Sequence, residues 1–243
     1  TNITQQKGYA TIQAAIDAAA NLDTIYIAAG TYVENPVLDS STKQLNFIGA
    51  TDGEGNPTTI IQGLLSINLP GNDDGWRIEN LYFKFVPNAK NANLNLWNVH
   101  GVTIDNCVFD GEGIFDGGGV GLSMPSGSPN GNSNVTIENS TFTNGLIGGI
   151  QGYANYLTVR NSTFTNISSG INHQGGGGNL VVEDSTFNVV AKSTGKNIYG
   201  IRFGSSSINN MSVVGSSFVV DSGGFTPDSG VYFASVIVRA VAS

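Results

Sequence analysis

The stretch "FDGEGIFDGGG", residues 109–119, gathers three carboxylates within seven positions: Asp110, Glu112 and Asp116. Glycine-rich loops let carboxylates and carbonyls converge on a hard cation, and Ca²⁺ takes about six to eight oxygens. The spacing departs from the EF-hand loop. Two readings stand for the trio: a Ca²⁺ site, or a solvated insertion loop. In principle the same carboxylates could also serve as the acid/base pair of glycoside cleavage. His173 carries an imidazole, which titrates near neutrality when unperturbed. Strand alternation turns it inward, so it reads as a core histidine. His100, in "NVHGVT", reads as a turn residue. Cys107 is the chain's one cysteine. It can form no internal disulfide, and no histidine is placed to activate it.

These side chains need a frame, and a repeat supplies it. "WRIENLYF" (76–83) returns as "VTIDNCVF" (102–109), "VTIENSTF" (135–142), "LTVRNSTF" (157–164), "LVVEDSTF" (180–187) and "MSVVGSSF" (211–218). Apolar residues alternate with polar ones before each phenylalanine, the period of a strand. Three positions before it stands Asn80, Asn106, Asn139, Asn161, Asp184 or Gly215. These residue types tolerate the left-handed conformation of a sharp bend. Each copy therefore reads as strand, bend, short strand, with the asparagine at a buried bend. Cys107 shares the position of Ser140, Ser162, Ser185 and Ser216. It reads as a small stacking residue.

A third strand follows each of the last five copies: "GVGLS" (119–123), "GIQGY" (149–153), "GINHQ" (170–174), "GIRFG" (200–204) and "GVYFA" (230–234). Three short strands per turn of about 22 residues predict an all-β fold, a single-stranded right-handed parallel β-helix. It would have ~8 coils and run roughly 40 Å, at ~4.8 Å per coil. "TIQAAIDAAA" (11–20) places Ile12, Ala15, Ile16 and Ala19 on one helical face. That helix is expected to cap the open first coil. Residues 1–243 are read as one domain.

The bulk composition narrows the function. Charged residues are 12% of the chain and the formal net charge is −8. The ten Lys and Arg form no cluster, whereas a nucleic-acid binder needs a basic stripe. No apolar run approaches the ~18 residues of a membrane span. The acidity suits an extracellular protein. Alternation in the third strands sends Gly121, Gln151, Asn172, Arg202 and Tyr232 outward, with Ser123, Tyr153, Gln174, Gly204 and Ala234 beside them. Amides, a guanidinium and tyrosine rings on one flat sheet could grip a sugar chain, so Gln151, Tyr153, Asn172, Gln174, Arg202 and Tyr232 are the candidate carbohydrate-binding residues. An ordinary solvated β face is the plainer reading.

"YATIQAAIDAA…DTIYIAAGTYVEN" (9–35) resembles the opening of pectin methylesterases and other right-handed β-helix proteins of the pectin lyase-like superfamily. The repeated Asn-Ser-Thr-Phe frame is similar to their scaffold repeats. The resemblance spans nearly the whole chain and implies the β-helix fold with an extracellular, carbohydrate-related ancestry. The Gln-Asp-Thr, Asp-Phe-x-Phe-Gly and Gly-Arg-Pro-Trp segments of the methylesterases do not occur here. Nor do the Asp-Asp, Gly-His-Gly and Arg-x-Lys set of polygalacturonases; "NHQ" (172–174) and "IRF" (201–203) do not match it, and Asp73-Asp74 reads as a turn. The sequence thus points first to a non-catalytic carbohydrate-binding or adhesion module, extracellular or on a cell surface, with a glycan partner and flanking domains. A polysaccharide lyase, hydrolase or epimerase with its residues in the loops at 110–133 or 190–198 is the alternative. A structural spacer is a third.

Overall fold

The computed structural model describes residues 7–70, 75–87, 91–115, 118–125, 131–174, 178–191, 198–205, 208–224 and 233–240. Three parallel sheets of eight strands each run along one right-handed solenoid. The first sheet begins at Thr24–Ile27 and contains Val135–Glu138 and Tyr156–Arg160. The second contains Thr141–Thr143 and Thr163–Ile167, and the third contains Ala92–Trp97, Val120–Met124, Gly148–Gly152, Ser169–Gln174 and Ile198–Ser205.

The bend between the first and second sheets is the repeated phrase. Asn80, Asn106, Asn139, Asn161 and Asp184 all have φ between 46° and 58°, and Gly215 has 62°. Asn161 is exposed rather than buried. Its conformation, not a sequestered side chain, is what selects asparagine there.

The residue after each bend points in. Ser140, Ser162 and Ser185 are each about 1% exposed. The Cys107 N–H donates to Ser140 Oγ at 3.1 Å, Ser140 N–H to Ser162 Oγ at 3.2 Å, Ser162 N–H to Ser185 Oγ at 3.2 Å, and Ser185 N–H to Ser216 Oγ at 3.1 Å. Each hydroxyl in turn donates to the carbonyl two residues back, as Ser162 Oγ does to Arg160 O at 2.9 Å. Cys107 ends this ladder, and burial pushes its thiol up to about 12. It is an inert scaffold group.

Two residues further on, the phenylalanines stack. Phe83, Phe109, Phe142, Phe164, Phe187 and Phe218 have successive centroid separations of 4.5–5.0 Å and nearly parallel planes. Such pairs add about 0.5–1.5 kcal/mol each beyond area burial. The stack needs room on the opposite wall, and a column of glycines gives it. A Cβ on Gly121, Gly149 or Gly170 would lie 2.7, 2.7 or 2.6 Å from the ring of Phe142, Phe164 or Phe187. Asn93 holds the same column position one coil earlier, fully buried with neither side-chain atom hydrogen-bonded.

The N-terminal helix spans Ile12–Ala18 and buries Ile12, Ala15 and Ile16 against the first coil. Thr11 Oγ1 caps it by accepting from Ala14 N–H at 3.1 Å. The Glu34 carboxylate adds two acceptors, for Ile12 N–H at 3.0 Å and Gln13 N–H at 3.2 Å. Together these satisfy donors that a helix start leaves open.

Candidate functional site

The third sheet carries the predicted polar face, but in a corrected register. Leu122 pairs with Ile150 and Ser123 with Gln151. Gly121 therefore belongs to the inward glycine column, and Ser123 takes the place beside Gln151 that alternation had given to Gly121. The segment "GVGL" offers two Gly–apolar pairs, and the one that clears the Phe142 ring fixes the register. In the last coil the strand is Phe233–Ala240, and Arg202 pairs with Ile237. Tyr232, expected beside Arg202, lies outside the described residues.

The outward row thus reads Ser66, Asn95, Ser123, Gln151, Asn172, Arg202. Six strands at ~4.8 Å spacing give a straight line of hydrogen-bonding groups roughly 24 Å long. Gln151 is exposed, and Asn172 and Arg202 are half-buried. The Asn172 side-chain oxygen has no hydrogen-bond partner. Gln174 is exposed and pairs with Gly204 in the next coil. Tyr153 is half-buried beside this row, its ring 5.7 Å from that of His173. His173 points inward and is about 1% exposed. Its Nε2 lies 2.9 Å from the Ala154 carbonyl and its ring 4.7 Å from Phe203. Burial holds its pKa below the usual histidine value, which suits a neutral core imidazole.

The sequence reading missed Trp97 and Asn95. In "ANLNLW" Leu94 and Leu96 are buried, so Asn95 and Trp97 face out, and Trp97 is 37% exposed. With the Asn95 amide oriented to its neighbours, its oxygen accepts from Trp97 Nε1 at 2.6 Å and its nitrogen donates to Ser123 O at 3.2 Å. A groove of about 480 Å³ opens beside Asn95, lined by Val37, Leu64, Ser66, Asn95, Ser123 and Pro125 among others. Alternation of apolar and polar residues over 92–97 was the signal that could have found this patch.

Two of the acidic trio, Asp110 and Glu112, lie within the described residues. Asp110 is about 6% exposed, on the second sheet rather than in a loop. Its carboxylate accepts from the Tyr82 hydroxyl, from Glu112 N–H at 2.7 Å and from Asn144 Nδ2 at 2.9 Å. Burial and then the hydrogen bond to Asp110 push the Tyr82 phenol up, so it serves as a donor. Glu112 pairs with Lys84 at 3.2 Å. Asp116 lies outside the described residues. Among the described residues no three His, Cys, Asp or Glu side chains converge as a metal cage. The loops at 110–133 and 190–198 are described only in part, as are the residues around Asp73-Asp74, which lie outside the described set.

Three parallel sheets, bent at left-handed asparagines around a phenylalanine stack, define a parallel β-helix protein. The chain belongs to the right-handed β-helix region family, whose pattern it matches over residues 66–234. Its fold is similar to that of a PL6-family alginate lyase, AlyGC, with a TM-score of 0.56 and 15% sequence identity. The likeness covers 96% of this chain and 39% of that one, so the chain spans well under half of the lyase. No curated protein matches it in sequence. Among the described residues no helix is long and apolar enough to cross a membrane.

Proposed function

We propose that this β-helix is an extracellular polysaccharide-binding module that holds an extended glycan along the outward row of its third sheet. The observation that carries the reading is the row itself, from Ser66 to Arg202, with one amide, hydroxyl or guanidinium per coil. Side chains in strict register present hydrogen bonds at a fixed interval, which suits a linear polymer of hydroxyl-bearing units. The strands fix the backbone spacing of the row, while long side chains such as Gln151 and Arg202 still pay an ordering cost on binding. Tyr153 and Trp97 add aromatic surface at the edges of the row.

Among the described residues, the two titratable groups that the sequence offers for catalysis are engaged elsewhere, which supports binding rather than turnover. His173 points into the core, where burial disfavours its charged form, and Asp110 is committed to three hydrogen bonds on another sheet. The fold likeness to an alginate lyase motivates a second reading, cleavage of a polysaccharide. One assay separates the two. Affinity electrophoresis through gels carrying alginate, pectin, xylan, mannan or glucan is run beside measurement of reducing-end and unsaturated-sugar release. Retardation without product, weakened by Gln151→Ala and Arg202→Ala, is expected. Product release abolished by Asp110→Ala would overturn the binding reading.

A further inference from the structure

We infer that the Gln13 side chain stands in for a strand on the free edge of the third sheet, and so keeps a second copy of this chain from pairing there. Among the described residues, Val37–Asp39 is the outermost strand of that sheet. Its inner side is bonded to Leu65–Asn68: Ser66 N–H donates to the Pro36 carbonyl at 3.0 Å, and Ser40 N–H to the Asn68 carbonyl at 3.0 Å. Alternate residues of a ladder bond to opposite sides, so the N–H and C=O of Val37 turn away from Leu65–Asn68, to the edge. An open edge of this kind is a template for another chain. Here it is filled from the capping helix, Ile12–Ala18. Gln13 Oε1 accepts from the Val37 N–H at 2.7 Å, and Gln13 Nε2 donates to the Val37 carbonyl at 3.1 Å. One side-chain amide thus satisfies both groups, as a residue of a paired strand would.

The amide is held in that pose. Gln13 Nε2 also donates to Asp17 Oδ1 at 2.8 Å, one turn along the helix. The first coil fastens the helix in return. The Glu34 carboxylate accepts from the N–H groups of Ile12 and Gln13, and Lys43 Nζ donates to the carbonyls of Ile16 at 3.0 Å and Asp17 at 3.3 Å. Both ends of the helix are therefore tied down, and Gln13 reaches the edge between them. The residue type matters. A carboxylate could meet the Val37 N–H but would face its carbonyl without a donor, whereas an amide carries both roles. Val37 is 48% exposed, so a strand pairing here would also bury apolar surface. Asp39, whose backbone turns to the same side, carries a charge that itself discourages an incoming strand. Val37 is thus the point that needs a guard. Every copy carries the same edge, and identical edges can meet about a two-fold axis, which makes a second copy the partner to exclude.

Gln13→Met tests this, because it removes the amide while keeping side-chain length and helix preference. Hydrogen exchange at the Val37 N–H is expected to quicken about tenfold or more. The helical N–H groups of Ala15 and Ala19, which bond within the cap, should stay protected. Sedimentation equilibrium up to about millimolar protein should show an average mass that rises with concentration above the wild-type curve. Adding Val37→Lys should return it to that curve. If Ala15 and Ala19 lose protection too, Asp17→Ala, which removes only the brace on the amide, must show the same two changes in weaker form; their absence overturns the assignment. Unchanged exchange at Val37 would mean that the amide does not hold the edge. Faster exchange without association, or association that Val37→Lys leaves in place, would overturn the guarding role.

Discussion

Replacing Ser162 by alanine isolates what the repeated Asn-Ser-Thr-Phe phrase contributes. Ser162 Oγ accepts from the Ser140 N–H at 3.2 Å and donates to the Arg160 carbonyl at 2.9 Å. The carbonyl also accepts from Asn139 N–H at 3.2 Å, so it keeps a partner in the variant. The Ser140 N–H does not, because Ser140 is about 1% exposed and water cannot reach it. One orphaned buried donor costs about 1–3 kcal/mol. Taking the middle of that range, and a sensitivity of about 2–4 °C per kcal/mol for a chain of this size, the melting temperature should fall by roughly 4–8 °C. Urea unfolding followed by circular dichroism reads the same quantity independently. Thr163→Ala is the control: its side chain lies on the outward face next door, and its effect should stay within about 0.5 kcal/mol. A Ser162→Ala variant within about 0.5 kcal/mol of wild type would refute the ladder as a source of stability.

Three further outcomes follow from the same scaffold. Asn161 has φ 48°, so Asn161→Ala should lose about 1–2 kcal/mol while Asn161→Gly stays near neutral in the same urea melts; equal losses would mean that the bend does not select the residue. Gly149→Ala would place a Cβ 2.7 Å from the Phe164 ring and 2.8 Å from the Gly170 carbonyl, whereas at Gly148 the nearest atom is 3.8 Å away. The first should cost about 1–3 kcal/mol and the second far less, checked by paired thermal melts. His173 is held below its unfolded pKa, so the unfolded chain takes up its proton first. Its contribution is present above about pH 6.5 and is lost as pH falls through the folded value, at up to about 1.4 kcal/mol per pH unit. His173→Leu should remove that segment of the stability–pH curve, and an unchanged curve would mean the imidazole is not desolvated.

Much of the fold was legible because the β-helix writes its geometry into residue types. A left-handed bend admits Asn, Asp or Gly, and all six expected bend positions have positive φ. The phenylalanines, the serine ladder with Cys107 in it, the inward His173 and the helix face of Ile12, Ala15 and Ile16 were visible for similar reasons. Register within the third sheet was not, because "GVGL" fits two alignments by alternation alone. The packing of Gly121 against the Phe142 ring, which belongs to another sheet, is a contact that alternation does not display. The exposure of Asn161 was missed since tolerance for αL says nothing about burial. Trp97 was overlooked because its strand, "ANLNLW", departs from the Gly-led pattern of the later copies. Asp110 read as a loop carboxylate, yet it continues a strand and is satisfied by Tyr82, a contact between coils that linear spacing does not display.

The most direct test of the functional reading is a backbone amide NMR titration with oligosaccharides of whichever polysaccharide retards the protein. Shifts confined to the third sheet and its side chains, running through Asn95, Ser123, Gln151, Asn172 and Arg202 in one line, are the predicted result. Shifts centred on Tyr82, Asp110 and Asn144 of the second sheet, with the third sheet silent, would contradict it.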